Sequence, residues 1–127
     1  MTLTPLQELL QAKTLVRKKS RDLIEVIFKL TEIFPQNDLD DLRVELRKKS
    51  LSISSFISHG TAQTEKKDQA DHFLAVMSEL REMLKLTNLA YQKKYLSDKL
   101  LAYIRMSISD VITSLDRTTK LLGCFDV

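Results

Sequence analysis

The chain has 127 residues, a length that favours a single domain spanning residues 1–127. It contains only two glycines and two prolines, too few for the turns of an all-β fold, so the composition predicts an all-α protein. The two glycines, Gly60 and Gly123, also lie too far apart to form a phosphate-binding loop, a dinucleotide-binding loop or a nucleophile elbow. The formal net charge of +3 is compatible with RNA, an acidic protein surface or solubility alone, although identical subunits would add their charges.

Two further features bear on where the protein resides. Cys124 is the only cysteine, so an intrachain disulfide is impossible, which fits a reducing compartment. The longest apolar runs, such as residues 73–77, are far shorter than the roughly 20 residues of a membrane-spanning helix, and the amino terminus carries no secretory signal pattern. The sequence therefore predicts a cytoplasmic protein without a membrane segment.

A first helix is predicted from Thr4 to about Ile33. Thr4 is a suitable N-cap, Pro5 fits the first helical position, and Gln7 can close a capping box. The apolar residues that follow recur three, four or seven positions apart, which is the spacing of one helix face. The predicted core residues are Leu9, Val16, Leu23, Ile27 and Leu30, with Leu10, Ile24 and Phe28 widening the same face.

A second helix follows the turn at Phe34 and Pro35, where the proline ends the preceding helix. Asn37 or Asp38 is the predicted N-cap, and Gly60 is predicted to end the helix in the left-handed conformation. The residues predicted to face the other helices are Leu39, Leu42, Leu46, Ser50, Ile53, Ile57 and Gly60.

The second helix also carries five serines, which are unfavourable inside helices because their hydroxyls compete for backbone partners. We interpret them as small side chains that let neighbouring helices approach, with hydroxyls bonded to preceding carbonyls. A nucleophilic role would need a general base, and none stands beside them in the sequence. The five are Ser50, Ser52, Ser54, Ser55 and Ser58.

A third helix is predicted after a polar loop at residues 60–64, with Thr61 or Thr64 as its N-cap. A second apolar stripe on this helix predicts either a wide core contact or a surface buried against another subunit. The main face consists of Ala70, Phe73, Met77, Leu80, Leu84 and Tyr91, and the second stripe of Val76, Met83 and Ala90.

The fourth helix is predicted to begin after Ser97 as N-cap and to end at Gly123, followed by a tail of residues 124–127. Its core residues alternate three and four positions apart. They are Leu101, Ile104, Ile108, Val111, Leu115 and Leu122. Four long helices with short connections predict an all-α, antiparallel, up-down-up-down four-helix bundle.

Eight basic residues on the first two helices form the candidate nucleic-acid-binding set. If the two helices are neighbours, residues 17–21 can approach residues 47–49, and the joint patch would suit phosphate oxygens without reading sequence. The alternative is that these side chains are solvated and paired with carboxylates such as Glu45. The eight are Arg17, Lys18, Lys19, Arg21, Arg43, Arg47, Lys48 and Lys49.

No catalytic, cofactor-binding or metal-binding site is predicted. A di-iron bundle needs a glutamate three residues before a histidine, and neither His59 nor His72 has one. Helical ribonucleases of the HEPN type carry an arginine four to six residues before a histidine, and neither histidine is so placed. The sequence therefore predicts a non-enzymatic protein without a cofactor.

Residues 34–60 resemble the hallmark segment of bacterial four-helix bundle proteins associated with intervening sequences of 23S ribosomal RNA. That segment has an FP turn, a leucine, an L-R pair and a motif close to S-I-P-S-N-I-A-E-G. Ser54, Phe56 and His59 depart from the motif, standing where it has proline, asparagine and glutamate. The matching positions are Phe34, Pro35, Leu42, Leu46, Arg47, Ser52, Ile53, Ser55, Ile57 and Gly60, and farther along Phe73, Leu74, Glu82, Leu89, Ala90, Tyr95 and Leu96 resemble the family's third helix.

The resemblance implies a homopentameric ring of four-helix bundles with a part in RNA biology. The chain is also similar to the accessory proteins of diversity-generating retroelements, pentameric bundles that bind a reverse transcriptase and nucleic acid. We therefore expect a homo-oligomeric scaffold or adaptor whose partners are copies of itself and RNA. The alternative is an accessory subunit that binds a reverse transcriptase and its template RNA.

Overall fold

The computed structural model describes residues 2–123, which form four helices and no strand. The helices are α1 (Pro5–Thr31), α2 (Leu42–Ala62), α3 (Lys66–Gln92) and α4 (Asp98–Gly123). α1 and α3 each contact both α2 and α4, so every helix packs against two neighbours. The all-α prediction is confirmed, while the predicted tail at residues 124–127 lies outside the described part of the chain. Between residues 2 and 123, none of the helices combines the length and apolar character that crossing a bilayer requires.

The start of α1 follows its predicted capping box. Thr4 Oγ1 accepts a hydrogen bond from the Gln7 amide at 3.2 Å, and the Thr4 amide donates to Gln7 Oε1 at 2.9 Å. The helix ends at Thr31, two residues before the predicted end at Ile33. Leu10 was predicted to widen the buried face, but it is 54% exposed, because successive residues point about 100° apart around a helix and Leu9 faces the core.

The start of α2 differs from the prediction. Asp41 occupies the N-cap position with a left-handed backbone at φ 51° and makes no side-chain cap bond. The predicted N-cap Asp38 lies three residues earlier, and its carboxylate accepts a hydrogen bond from the first-turn amide of Arg43 at 2.9 Å. The helix therefore begins at Leu42. Leu39 precedes it and is 87% exposed, so its predicted place in the core is wrong.

Gly60 does not end α2, because the helix continues to Ala62 and Gly60 does not take the left-handed conformation. The residue is buried where α2 passes α3. A Cβ atom added to Gly60 would lie 2.8 Å from His72 Cβ and 3.1 Å from Phe73 Cε1. The missing side chain is thus what permits the close approach of the two helices.

The start of α3 also differs from the prediction, since Glu65 is the N-cap and makes no side-chain cap bond. Neither Thr61 nor Thr64 caps the helix. The Thr61 hydroxyl donates to the Ile57 carbonyl of α2 at 2.9 Å. The Gln69 side-chain amide reaches back across the connection to a carbonyl of the loop before α3.

The face of α3 that enters the core combines residues of both predicted stripes, which agrees with the alternative of a wide core contact. Val76, Met83 and Ala90 are fully buried inside the chain, so the interpretation of this stripe as a subunit surface is wrong. On the predicted main face, Phe73 and Leu80 are fully buried, Met77 and Leu84 are half-buried, and Tyr91 is exposed.

α4 agrees with the prediction in full over the described residues. The Leu100 amide donates to Ser97 Oγ at 3.2 Å, as expected for an N-cap serine. The predicted core residues are all buried: Leu101, Ile104, Ile108, Val111, Leu115 and Leu122. Their strict three-four alternation defines one continuous face of the helix, and that face is the one in the core.

Hydroxyl groups inside the core are bonded to the backbone of their own helix. Ser50 Oγ donates to the Leu46 carbonyl at 3.0 Å, and Thr87 Oγ1 donates to the Met83 carbonyl at 2.8 Å. These bonds remove the cost of burying a polar group while keeping the side chain small. The packing interpretation of the serines is confirmed for Ser50.

The connection after α1 meets the connection after α3. The rings of Phe34 and Tyr95 lie 5.3 Å apart, and Lys93 forms an ion pair with Asp40. Lys94 adopts a left-handed backbone with φ 66°, which ends α3 and turns the chain toward α4. The hydrogen bond from Lys93 to Asp40 raises the pKa of the lysine above its ordinary value. Both connections are thereby fixed to each other.

Candidate nucleic-acid interface

Two of the eight candidate residues hold the end of α1. Arg43 Nε donates to the Thr31 carbonyl at 2.8 Å and a second guanidinium nitrogen donates to the Phe34 carbonyl. Arg47 Nε donates to Thr31 Oγ1 at 2.9 Å, and its Nη2 donates to the Phe28 carbonyl at 3.2 Å. The last carbonyls of a helix lack partners within the helix and carry partial negative charge, so these guanidinium groups cap α1 from α2.

The Arg47 guanidinium also stacks on an aromatic ring, with its central carbon 4.8 Å from the centre of the Phe28 ring. Lysine cannot reproduce the planar fork or the stacking. We expect Arg47→Lys to lower the free energy of unfolding by about 1–2 kcal/mol, measured by denaturant titration. Arg21→Lys is the matched control, because Arg21 is exposed and should change stability by less than about 0.5 kcal/mol. Equal effects of the two substitutions would contradict the capping role.

Three of the candidate lysines are engaged in ion pairs. Lys48 lies 3.8 Å from Glu45, Lys49 lies 3.3 Å from Glu79, and Lys19 lies 3.9 Å from Asp110. Such partly exposed pairs contribute little stability, and a phosphate group could replace the carboxylate. They nevertheless leave these lysines less available than an unpaired cation.

The remaining three residues, Arg17, Lys18 and Arg21, are exposed and have no ion-pair partner within residues 2–123. Arg17 and Arg21 lie one turn apart on the side of α1 that faces α2. They border a groove of about 260 Å³ between the two helices, which we name the basic groove. It is lined by Thr14, Arg17, Ser20, Arg21, Ser54, Ile57 and Ser58.

Lys13 lies one turn before Arg17 on α1. Burial lowers the pKa of its ammonium group below the ordinary lysine value, and the neighbouring charge of Arg17 lowers it further. A bound anion would oppose both effects, because it favours the charged form of the lysine.

The predicted joint patch between residues 17–21 and residues 47–49 does not form. Arg47 lies beside Phe28 near the end of α1, whereas Arg17 and Arg21 lie beside Ser54. Ser54 is seven positions after Arg47, which corresponds to about 10 Å along a helix. The structure therefore separates the eight residues into a capping pair, a set of paired lysines and an open basic groove.

The sequence predicted the arginines of the basic groove but not that serine hydroxyls lie beside them. Ser54 and Ser58 were interpreted only as packing residues. The hydroxyls of Thr14 and Ser20 also line the groove, but they already donate to the carbonyls of Leu10 and Arg17. The relative register of α1 and α2 decides which side chains meet, and no local pattern in either helix encodes that register. Serines spaced by four on the face of α2 toward α1 were the available signal.

Histidine, cysteine and carboxylate side chains do not gather in groups of three or more that could hold a metal ion, as far as residues 2–123 are concerned. The candidate site is therefore the basic groove, whose functional groups are cations and hydroxyls. That arrangement can bind anions by hydrogen bonding, and within it no side chain is placed as an obvious general base.

Four helices around one hydrophobic core define the class as an all-α four-helix protein. The chain belongs to the family of the 23S rRNA-intervening sequence protein, whose family model matches residues 12–117. The resemblance seen in residues 34–60 is thus confirmed at the level of the family. A search of curated proteins found no match.

The hallmark residues of that segment have architectural roles in this chain. Arg47 caps α1, and Gly60 permits the contact between α2 and α3. Five others are buried in the core: Phe34, Leu42, Leu46, Ile53 and Ile57. The hallmark segment therefore accounts for the fold, and the basic groove lies mainly on residues outside it.

Proposed function

We propose that the protein is a non-enzymatic, cytoplasmic scaffold that binds RNA through the basic groove and assembles as a homopentamer of antiparallel four-helix bundles. The observation that carries RNA binding is the pair of exposed, unpaired arginines, Arg17 and Arg21, above the hydroxyl groups of Ser54 and Ser58. The family description, which names 23S rRNA, supports the choice of RNA as the anion.

The chemistry of the basic groove suits a phosphate backbone. A guanidinium group presents a planar fork of donors that matches two phosphate oxygens, and the hydroxyls of Ser54 and Ser58 can add further donors. Among the described residues that line the basic groove none is aromatic, so the groove offers no platform for stacking bases. Binding of this kind recognises the backbone and is independent of sequence.

Binding of labelled single-stranded and duplex RNA by the intact protein should weaken steeply between about 50 and 200 mM salt. The double variant Arg17→Ala/Arg21→Ala should bind more weakly to every sequence tested. It should also reduce the slope of log affinity against log salt by about 1–2, because each lost phosphate contact removes about one released counterion. Fluorescence anisotropy across a salt series measures both quantities.

The matched control for this experiment is Lys67→Ala/Lys85→Ala on α3, which removes the same net charge from exposed positions away from the basic groove. It should leave the salt slope close to that of the wild type. Equal losses of RNA affinity in the two double variants would mean that binding depends on the net charge of the protein and not on the basic groove. RNA binding that is absent or insensitive to salt would contradict the proposal. A reverse-transcriptase gene beside this one would then favour the accessory-subunit alternative.

The antiparallel arrangement is supported by contacts between helix ends. Arg43 and Arg47 at the start of α2 bond to the last turn of α1 and the residues after it. Tyr91 at the end of α3 donates a hydrogen bond to Asp98 at the start of α4. The short connections between the helices agree with this up-down-up-down order.

The homopentamer is supported by family membership and by an apolar groove of about 720 Å³ between α1 and α4. Val26, Leu30 and Leu100 form its floor, and the outward side chains of Tyr103 and Met106 are more than half exposed. Charged residues of both helices form its rim. We assign this groove to a second copy of the chain, because apolar area of this kind is favourably buried on association.

Light scattering coupled to size exclusion should give a mass five times that of the 14.7 kDa chain. Met106→Lys should shift this mass toward that of the monomer, since it places a charge in the apolar groove. Leu74→Lys is the matched control, because Met106 and Leu74 are both 64% exposed but Leu74 lies on α3. A monomeric wild type, or an unchanged mass for Met106→Lys, would contradict the assignment.

A further inference from the structure

The two histidines of the chain meet although 12 residues separate them in sequence. His59 lies in the last turn of α2 and His72 in the second turn of α3, and their ring centres are 6.4 Å apart with planes tilted by 31°. Gly60 brings the two helices together at this point, since its absent side chain leaves room for His72 Cβ. The pair is therefore a product of the packing between α2 and α3.

The ring of His72 is held in one orientation. Its Nδ1 lies 2.7 Å from the Asp68 carbonyl oxygen, and because a carbonyl oxygen only accepts, Nδ1 carries the proton. This leaves the lone pair of Nε2 free. On another side the Phe56 ring meets the His72 ring edge-on, with centres 6.3 Å apart and planes at 65°. Metal-ligating histidines commonly donate their other ring N–H to a backbone carbonyl in this way.

The separation of the rings fits a shared ion. Zinc lies about 2.0–2.1 Å from an imidazole nitrogen and hence about 3 Å from the ring centre, so two imidazoles on one ion have centres roughly 5–6 Å apart. The ring centres of His59 and His72 are 6.4 Å apart, and a small rotation of the more exposed His59 side chain would bring them into that range. Imidazole nitrogens suit Zn²⁺, Ni²⁺ and Cu²⁺, which tolerate water at their remaining positions.

We propose that His59 and His72 form a binding site for a divalent transition-metal ion that joins the end of α2 to the start of α3, with water completing the coordination. The sequence analysis looked for metal ligands only as glutamate and histidine pairs within one helix. A pair of histidines from two different helices was outside that search. Phe56 and His59, two of the departures from the hallmark motif, both contribute to this cluster.

The test uses untagged protein carrying Cys124→Ser, so that the thiol does not compete for the ion. Titration with ZnCl₂ in a calorimeter should give one ion per chain, and Zn²⁺ should raise the midpoint of thermal unfolding. His59→Gln and His72→Gln should each weaken the affinity by at least about tenfold and abolish the thermal shift, because either change leaves a single imidazole. The ¹⁵N chemical shift of His72 Nε2 should move on zinc addition, while Nδ1 stays protonated.

Gln63→Ala, in the connection between the same helices, is the control variant and should retain zinc affinity. The proposal is overturned if either histidine variant binds zinc as tightly as the wild type, if both histidines respond with separate stoichiometries, or if one ion is bound per two chains. Unfolding of each variant without zinc, followed by circular dichroism, verifies that the fold is retained. Variants that lose the fold are replaced by His59→Asn and His72→Asn, for which the same outcomes decide.

Discussion

Replacing Leu46 with alanine is expected to lower the free energy of unfolding by about 2–5 kcal/mol. Leu46 is fully buried in the middle of the hydrophobic core, where α2 meets its neighbours. The substitution removes apolar contacts and leaves a cavity that the surrounding side chains fill only in part. Chemical denaturation followed by circular dichroism, at one fixed protein concentration, gives the stability difference.

Leu51→Ala provides the matched control for Leu46→Ala, since it is the same chemical change on the same helix at a residue that is 58% exposed. Its effect should stay within about 0.5 kcal/mol. Comparable losses at the two positions would mean that the face of α2 assigned to the core is incorrect. A fixed protein concentration is needed because association stabilises the folded subunit by mass action.

Replacing Gly60 with valine is expected to cost about 1–3 kcal/mol, the usual range for overpacking. The new Cβ would lie 2.8 Å from His72 Cβ, an atom attached directly to the backbone of α3, so the two helices must move apart. Valine has a better helix propensity than glycine, but this gain is only about 0.5 kcal/mol and is smaller than the cost of separating the helices.

Gly123→Val is the control for Gly60→Val, because nothing lies within 4 Å of a Cβ atom added to Gly123. That substitution should change stability by less than about 0.5 kcal/mol. If Gly60→Val proved neutral or stabilising, the close approach of α2 and α3 at this residue would be wrong, and the contact between the two histidines would lose its structural basis.

The strongest periodic patterns predicted the fold best. The three-four alternation in α4 marked the face that is buried, and the capping signals at Thr4 and Ser97 each had a side chain able to satisfy a specific amide. In α3, by contrast, two stripes were comparably apolar. The core took residues from both stripes, and it also took Thr87, whose hydroxyl donates to a carbonyl of its own helix.

The N-cap of α2 was not predicted correctly, because more than one residue before the helix was suitable. Several acidic residues could each have capped the helix, and the choice among them was made by contacts made elsewhere in the chain. Asp38 bonds to the Arg43 amide, Asp40 pairs with Lys93, and Asp41 is left as the N-cap. Lys93 lies just after α3, more than 50 positions from Asp40 in the sequence, so local rules could not rank the candidates.

The candidate site was predicted in its charges but not in its geometry. The two arginines of the basic groove are among the eight predicted cations, yet the capping role of Arg43 and Arg47 depends on where α1 ends. The basic groove in turn depends on which serines lie opposite Arg17 and Arg21. Both facts follow from the pairing of two helices, which the composition of either one does not specify.

The joined connections after α1 and α3 have a mechanical consequence. The two connections are held together by the contact between Phe34 and Tyr95 and by the ion pair between Lys93 and Asp40. Arg43 adds a hydrogen bond to the Phe34 carbonyl, just after the end of α1. The end of the molecule that carries these two connections should therefore be rigid. Any bending that accompanies the binding of a partner should leave the relative positions of these two connections unchanged.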